Sequence, residues 1–471
     1  MADFPTGCAR RAPDQSWPLA GRLGSALALL LGLLSGCAAE RHACDRTCVS
    51  AKLADRTGFT VGSSPPGGEI VLPNGASLAD GLAEDEAVLI ALWNNAAFQE
   101  LLAELGIARG ELIQAGLLPN PEVAYFFEVP QKPFKYVLDV PLEALWLRPI
   151  RLAAAEEESA RVCHRLTQAG LDLIRDVRQA YADVLLAKGR LDVADEAVRL
   201  RGQVAAFAEA RLKAGDVSVQ EAATARIDAL RARQDAVRAG YDVALAEERL
   251  RNLLGVRTDR FPLKLGDVAP PPRADLDADA LAAEAITTRP DALAADQAAA
   301  AAAERLRLSQ LSWVRFLGIL DATSGRGTGR EFGPAFRITL PVLDRNQGHI
   351  ARAQAEWEKA ERQRQTVRDQ ILLDVHQAHF RYAQARAEME VLDAQVRPEV
   401  EATIRRAESA YREGDTSYVV VLETTRQLLD SRLRQEQLRA ELRRAWAELE
   451  RSVGRRLGAP SPAPAAWEST P

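Results

Sequence analysis

The chain has 471 residues, 47% hydrophobic and 27% charged, with aromatics at only 6%. That apolar content supports a large core and excludes wholesale disorder, and a bias to Ala, Leu, Arg and Glu over long stretches suits packed helices. A net charge of −6 offers no basic field for nucleic acid, and five cysteines cannot make a disulfide-dense scaffold.

Arg10, Arg11 and Arg22 precede an apolar run over 23–34. As a helix that run spans roughly 18 Å, short of a bilayer core of about 30 Å. Residues 1–36 therefore read as a secretory signal peptide. The run ends Leu34-Ser35-Gly36-Cys37, which resembles the bacterial lipobox. The resemblance implies a lipid on Cys37, and Ala38 rather than Asp after it implies the outer membrane. The plainer alternative is a cleaved signal that happens to end in cysteine. Residues 37–80 form an arm and linker, with Gly, Ser and Pro over 62–68 breaking regular structure. Cys44 and Cys48 are expected as a disulfide or as free thiols, and Cys163 as a packed side chain. His42-x-Cys44-x3-Cys48 offers three soft-metal ligands on a flexible arm, which is little evidence for a site.

The rest of the chain repeats itself. Ala208-Glu209, Gly215-Asp216-x-Ser218, Leu230, Arg233, Ala246, Leu250 and Gly255 recur as Ala407-Glu408, Gly414-Asp415-x-Ser417, Leu429, Arg432, Ala445, Leu449 and Gly454, at a constant offset of 199. Asp176-Val177-x-Gln179-Ala180 recurs as Asp374-Val375-x-Gln377-Ala378 at 198, and Asn95-Ala96 aligns with Arg289-Pro290 at 194. A period this long is a duplicated domain, not a solenoid. The two copies occupy 81–256 and 276–456, joined by a linker at 257–275, and 457–471 reads as a disordered tail.

In chain order, each copy predicts helix, β-hairpin, very long helix, tip and return helix. In copy one, 82–117 is helical, with Glu84, Asp85 and Glu86 suited to its positive end. Strands are expected at about 122–129 and 136–142, where apolar and polar residues alternate. A helix then runs over 150–214 to a tip at 214–218, and a return helix runs to Gly255. Copy two gives a helix over 276–311, strands at about 313–321 and 333–342 around a Gly-rich loop at 323–333, a helix over 349–413, a tip at 413–417 and a return to Gly454. Asp344 with Gln347 suggests a capping box. Val367, Ile371, Val375, Ala378, Tyr382, Ala385, Met389 and Leu392 have coiled-coil spacing. Pro398 is expected to bend that helix without ending it.

Each strand has one apolar and one polar face, with no second sheet to cover it. In an exported chain this fits transmembrane strands. Four strands are too few to close a barrel, so copies of the chain must pool them. The fold class is thus mainly α with a small β part: two tandem repeats, long helical hairpins and four strands per chain toward a shared barrel.

These features together resemble the TolC-type outer-membrane efflux proteins, over roughly 82–456. The opening helix Glu84-Asp85-Glu86-Ala87 with Trp93-Asn94-Asn95 carries the likeness, as do Arg289-Pro290-Asp291 and Gly333-Pro334 with Leu340-Pro341-Val342-Leu343-Asp344-Arg345. Ala115-Gly116-Leu117-Leu118-Pro119-Asn120-Pro121-Glu122 is similar to the cobalt–zinc–cadmium branch. Trp313 departs from that pattern, standing where a proline is expected. The resemblance implies a homotrimeric outer-membrane channel reaching into the periplasm. Its partners would be a periplasmic adaptor and a proton-driven inner-membrane pump of the resistance-nodulation type, with divalent metal as cargo. It also implies adaptor docking at Gly215, Asp216, Ser218, Gly414, Asp415 and Ser417, and a cation-favouring constriction at Glu423, with Glu221 a lesser candidate. Capping of the return helices is the competing role for Asp216 and Asp415, and an ordinary solvated surface for Glu423.

No Walker A loop, Gly-x-Ser-x-Gly or His-Glu-x-x-His occurs, so nothing supports catalysis. No cofactor is expected beyond the lipid. His376 and His379 lie one turn apart, and polar packing is the expected role because two ligands do not make a metal site. The competing reading of the whole is a lipid-anchored periplasmic coiled-coil scaffold.

Overall fold

The computed structural model describes residues 44–63, 70–73, 81–129, 134–256, 263–266, 270–272, 275–325, 329–413 and 415–457. The expected signal peptide, Cys37, His42, Gly414 and the tail from 458 lie outside the described residues. The order is α1 (Arg46–Thr57), α2 (Glu84–Asn94), α3 (Ala96–Gly116), β1 (Glu122–Phe126), β2 (Phe134–Pro141), α4 (Glu143–Ala214), α5 (Val219–Leu254), then α6 (Ala278–Thr288), α7 (Pro290–Leu311), β3 (Phe316–Gly325), β4 (Gly329–Ile338), α8 (Gln347–Val391), a π turn (Leu392–Val396), α9 (Arg397–Glu413) and α10 (Tyr418–Val453). Among the described residues no helix is long and apolar enough to cross a membrane.

The first helix of each copy is broken, where the sequence suggested one continuous helix. The breaks fall at aligned positions, Asn95 and Arg289. Arg289 precedes Pro290, whose ring bars the helical conformation one residue earlier. Asn95 caps α3 by accepting the Phe98 N–H at 2.9 Å. Each break residue also captures the end of its return helix. Asn95 Nδ2 donates to the Leu253 carbonyl at 2.9 Å, and Arg289 Nη1 to the Ser452 carbonyl at 3.0 Å. The glycines that end those helices, Gly255 at φ 69° and Gly454 at φ 85°, are left-handed. A Cβ on Gly255 would run into the Asn94 carbonyl, so only glycine lets the two segments close up.

The long helix α4 has 72 residues, roughly 110 Å. It begins earlier than expected and carries Pro149 inside, losing one backbone bond without ending. Its counterpart is interrupted as Pro398 suggested. The Arg397 N–H reaches five residues back to the Leu392 carbonyl, so the helix widens by one residue just ahead of the proline. The expected capping box at Asp344 is not formed. Asn346 (φ 63°) is the N-cap, Asp344 accepts the Asn346 N–H at 2.8 Å, and Gln347 Oε1 accepts the Arg345 N–H at 2.7 Å. The coiled-coil stripe Ile371, Val375, Ala378, Tyr382 and Ala385 is buried, its first four residues packing with Leu281, Ala285, Trp446 and Leu449.

The strands form one antiparallel sheet in the order β1-β2-β3-β4, so β2 and β3 join the two copies. Copy two departs most from the sequence expectation. β3 starts at Phe316, not 313, and extends to Gly325, while β4 runs over Gly329–Ile338 rather than 333–342. The expected Gly-rich loop is mostly hairpin, with Gly325 paired to Gly329 and Asp321 to Gly333. Glycine marks a loop only where nothing pairs with its backbone, and here a facing strand does.

Helix α1 packs on α4. Cys44 is disulfide-bonded to Cys163, with Cα atoms 5.9 Å apart across 119 residues of sequence. This corrects the pairing expected from proximity, because Cys48 is free and Cys163 is not merely packed. The partner was set by the docking of α1, which local spacing does not encode.

Candidate functional site

The register sorts the sheet's side chains into two faces. Val123, Tyr125, Tyr136, Leu138, Leu320, Phe332, Phe336 and Ile338 share one. Glu122, Lys135, Asp139, Asp321, Glu331 and Arg337 share the other, together with Phe126, Val137, Leu317 and Ile319. Phe332 is 73% exposed and Phe336 70%, so the apolar face is uncovered within the chain. On the charged face Lys135 Nζ lies 2.5 Å from Asp321. Tyr125 stacks edge-on with Phe134 and Tyr136 at 4.8 and 4.9 Å, an aromatic cluster near the hairpin end. β3 and β4 have 10 residues each, enough for a tilted membrane crossing. Among the described residues β1 and β4 each pair on one side only.

At the far end of α4 lie the tips. Gly215 (φ 84°) ends α4, with the Asp216 N–H returning to the Arg211 carbonyl at 2.9 Å. The Asp415 N–H makes the matching 2.9 Å bond to Ala410. Ser218, not Asp216, caps the return helix, accepting the Glu221 N–H at 3.2 Å. Ser417 is N-cap of α10 without a side-chain bond. Asp216 and Asp415 are exposed and unneeded for capping. The tips pack together: Ala208, Ala225, Tyr411 and Val421 are buried in one cluster, with Phe207 5.3 Å from Tyr411 and Arg211 over the Tyr411 ring. Glu423 is exposed on α10, bonded only loosely to Gln427 at 3.4 Å, and Glu221 is half-buried on α5.

Between sheet and tips, α4 is tied to α10 by ion pairs that cross the copies. Arg178 meets Glu450 and lies 3.3 Å from Asp85, Arg451 meets Asp172 at 2.7 Å, Arg444 meets Asp183 at 2.7 Å, and Arg432 meets Glu196. Burial opposes the charge of Arg178, but Glu450, Glu84 and Asp85 outweigh it and raise its pKa further. Burial pushes Glu84 and Glu450 above the usual carboxylate range despite that neighbour. A groove of about 600 Å³ opens beside this seam, lined by charges of both signs including Lys188, Asp192, Glu196 and Arg397.

The histidines take structural roles. Tyr181 donates to the Leu82 carbonyl at 2.9 Å, and its counterpart His379 meets the Leu276 carbonyl at 3.0 Å. Arg178 faces Asp85, and its counterpart His376 lies 3.8 Å from Asp279. Each pair joins the long helix to the chain entering or starting the short helix, and the two copies match residue for residue. Sequence reasoning missed Arg289 as a buried hub: it is 1% exposed, holding Asp291 at 2.5 Å and Asp374 at 3.3 Å. Its place opposite Asn95 in the repeat alignment was the available signal.

The profile described as outer membrane efflux protein matches residues 138–256 and 281–455. The cobalt-zinc-cadmium resistance protein CzcC of Cupriavidus metallidurans is 26% identical over 412 residues, 84% of this chain and 96% of its own. The cation efflux system protein CusC of Escherichia coli K12 is 26% identical over 292 residues, and the match spans 62% of its length. Among solved structures, CusC superposes with a TM-score of 0.68 at 17% identity, covering 83% of this chain and 96% of that one. The outer membrane protein VceC of Vibrio cholerae gives 0.68 at 16% identity, covering 79% and 96%. These likenesses establish the fold as that of an outer-membrane channel with a helical barrel and a β-barrel. With the family profile covering both repeats, the chain belongs to the outer membrane efflux protein family.

Proposed function

We propose that three copies of this chain form a passive conduit, not an enzyme, through which an inner-membrane pump and a periplasmic adaptor discharge cargo across the outer membrane. The two repeats, 81–256 and 276–456, supply alternate segments of its wall. The observation that carries this reading is the sheet: charges on one face, uncovered aromatics on the other, and two unpaired edges. A membrane accepts such a sheet only closed, with its apolar face to lipid and its charged face to water. The tips around Gly215, Asp216, Ser218, Gly414, Asp415 and Ser417 would dock the adaptor. Three copies of exposed Glu423 would favour cations at the periplasmic mouth. Cys37 would carry the lipid anchor. Divalent heavy-metal cations are the proposed cargo, since the relatives are described as cobalt-zinc-cadmium resistance and cation efflux proteins.

The full chain, extracted in detergent and added to a planar bilayer, is expected to run as a trimer and give stepwise conductance that Glu423→Gln shifts away from cations. A monomer that passes no current would end this reading and leave a scaffold.

A further inference from the structure

The three cysteines of the described chain meet at one point. Cys44, Cys48 and Cys163 place their sulfurs within 4.8 Å of one another, and the free Cys48 Sγ lies 3.7 Å from Cys163 Sγ, a member of the disulfide. Cys48, Lys52 and Arg56 recur every four residues, one stripe along α1, and Cys44 lies just ahead of the N-cap Asp45. Opposite them on α4 stand Cys163, 1% exposed, and His164. Lys52 lies within electrostatic reach of Cys48, and both Lys52 and Arg56 act on His164. The Cys48 sulfur therefore sits within the field of the half-buried Lys52 ammonium, which favours negative charge arriving there.

We propose that Cys44, Cys48 and Cys163 form a thiol–disulfide exchange site, in which Cys163 is shared by two alternative partners, Cys48 on α1 and Cys44 just ahead of it. The Cys48 thiol gives up its proton, and its sulfur attacks Cys163 Sγ. A Cys48–Cys163 bond forms as the Cys44–Cys163 bond breaks, and Cys44 leaves with the electron pair and takes up a proton. No electrons are gained or lost, so no oxidant or reductant is needed. Both isomers keep α1 fastened to α4. The staple can thus be remade from within if one partner is modified, and one thiol is always spare. The site stands apart from the conduit reading and does not depend on it.

Arg46 separates the two candidates, so trypsin places Cys44 in peptide 42–46, Cys48 in 47–52 and Cys163 in 162–165. The full-length protein is held without reductant at about pH 8, where thiolates exchange, then quenched in acid, alkylated with a maleimide and mapped by mass spectrometry. The Cys48–Cys163 linkage is expected at about a tenth or more of the total, matched by alkylated Cys44. Cys44→Ser has no disulfide left to exchange; given oxidised glutathione, which takes up the two electrons, it should form Cys48–Cys163 wholly, showing that the folded chain reaches that geometry. Lys52→Gln should slow the approach to the final ratio about three- to tenfold. Cys44–Cys163 alone in the unmodified chain, or a Cys44–Cys48 linkage that frees Cys163, overturns the proposal.

Discussion

The two long helices of this chain descend from one plan, yet α4 is covered on two sides and α8 on one. Helix α4 packs on α3 and α5 of its own copy and on α7 and α10 of the other, whereas α8 packs on α6, α7 and α10 of its own copy alone. Aligned positions measure what is missing. Ile174 is 6% exposed and its counterpart Leu372 37%; Ala182 is 1% exposed and Phe380 65%. The return and short helices show the reverse. Leu429 and Ala440 are 6% and 3% exposed, whereas Leu230 and Tyr241 are 55% and 72%; Ala301 is 0% exposed and Ile107 65%. In the proposed trimer, the faces open on α8 and on α3 and α5 would be the two halves of one head-to-tail contact. A second chain would complete it by repeating what already exists between the copies. The internal seam combines ion pairs with small buried side chains such as Ala182, Ala301 and Ala440, while the open faces present Phe380, Tyr241, Leu230 and Leu245.

The sharpest way to break that comparison is to place one substitution at aligned positions. Leu429→Asp buries a carboxylate inside the chain and should cost about 4 kcal/mol or more, enough to prevent folding. Leu230→Asp touches only the open face. It should leave the monomer's far-ultraviolet dichroism unchanged, shift its melting by no more than about 0.5 kcal/mol, and lower trimer yield on detergent size exclusion at least about tenfold. Equal behaviour of the two variants would mean that the open faces are not an interface.

The next contrast is between the two helix breaks. Arg289→Ala empties a buried site, takes the guanidinium from Asp291 and leaves Asp374 to Arg451, and should cost about 3 kcal/mol in urea unfolding. Asn95→Ala removes a cap and a carbonyl bond and should cost about 1–2 kcal/mol. These residues also show what the sequence could tell. The duplication, the long helices, both tips and the alternation of the sheet were legible because they are written in local periodicity and in a constant offset. The break at Arg289 is written as Arg-Pro, but a helical pattern continues on both sides and masks it. The extent of β4 and the Cys44–Cys163 pairing were not legible. Both are decided by a partner distant in sequence: β3 pairs the backbone of Gly329 and Gly333, and α1 lies against α4.

The arm helix α1 breaks the symmetry of the copies in a way that pH can read. His164 is held down to about 4 by burial, and then by Lys52 and Arg56, while its counterpart Arg362 is exposed with no arm over it. Against an unfolded value of 6.5, the unfolded chain binds the extra proton first as pH falls. Stability from this group is therefore complete above about pH 6.5 and is lost on acidification toward 4. Discounted for partial exposure, the loss is about 1–2 kcal/mol. His164→Gln should flatten the melting temperature of wild type between those limits, and an unchanged slope would remove His164 as its source.

The smallest effect separates the two tips. Both return helices start at a serine, but only Ser218 accepts a first-turn N–H, that of Glu221, while the Ser417 side chain makes no such bond. Ser218→Ala should loosen the start of α5 by about 1 kcal/mol, and Ser417→Ala should change α10 by only a few tenths. Hydrogen exchange over 216–225 and 415–424 reads the difference directly, as roughly fivefold faster exchange at the first tip and little change at the second. The contrast also bears on docking. If an adaptor gripped the tips through the serine hydroxyls, both substitutions would weaken it alike. If it needs the ordered turn, Ser218→Ala alone should do so, because only that hydroxyl holds the helix start in place.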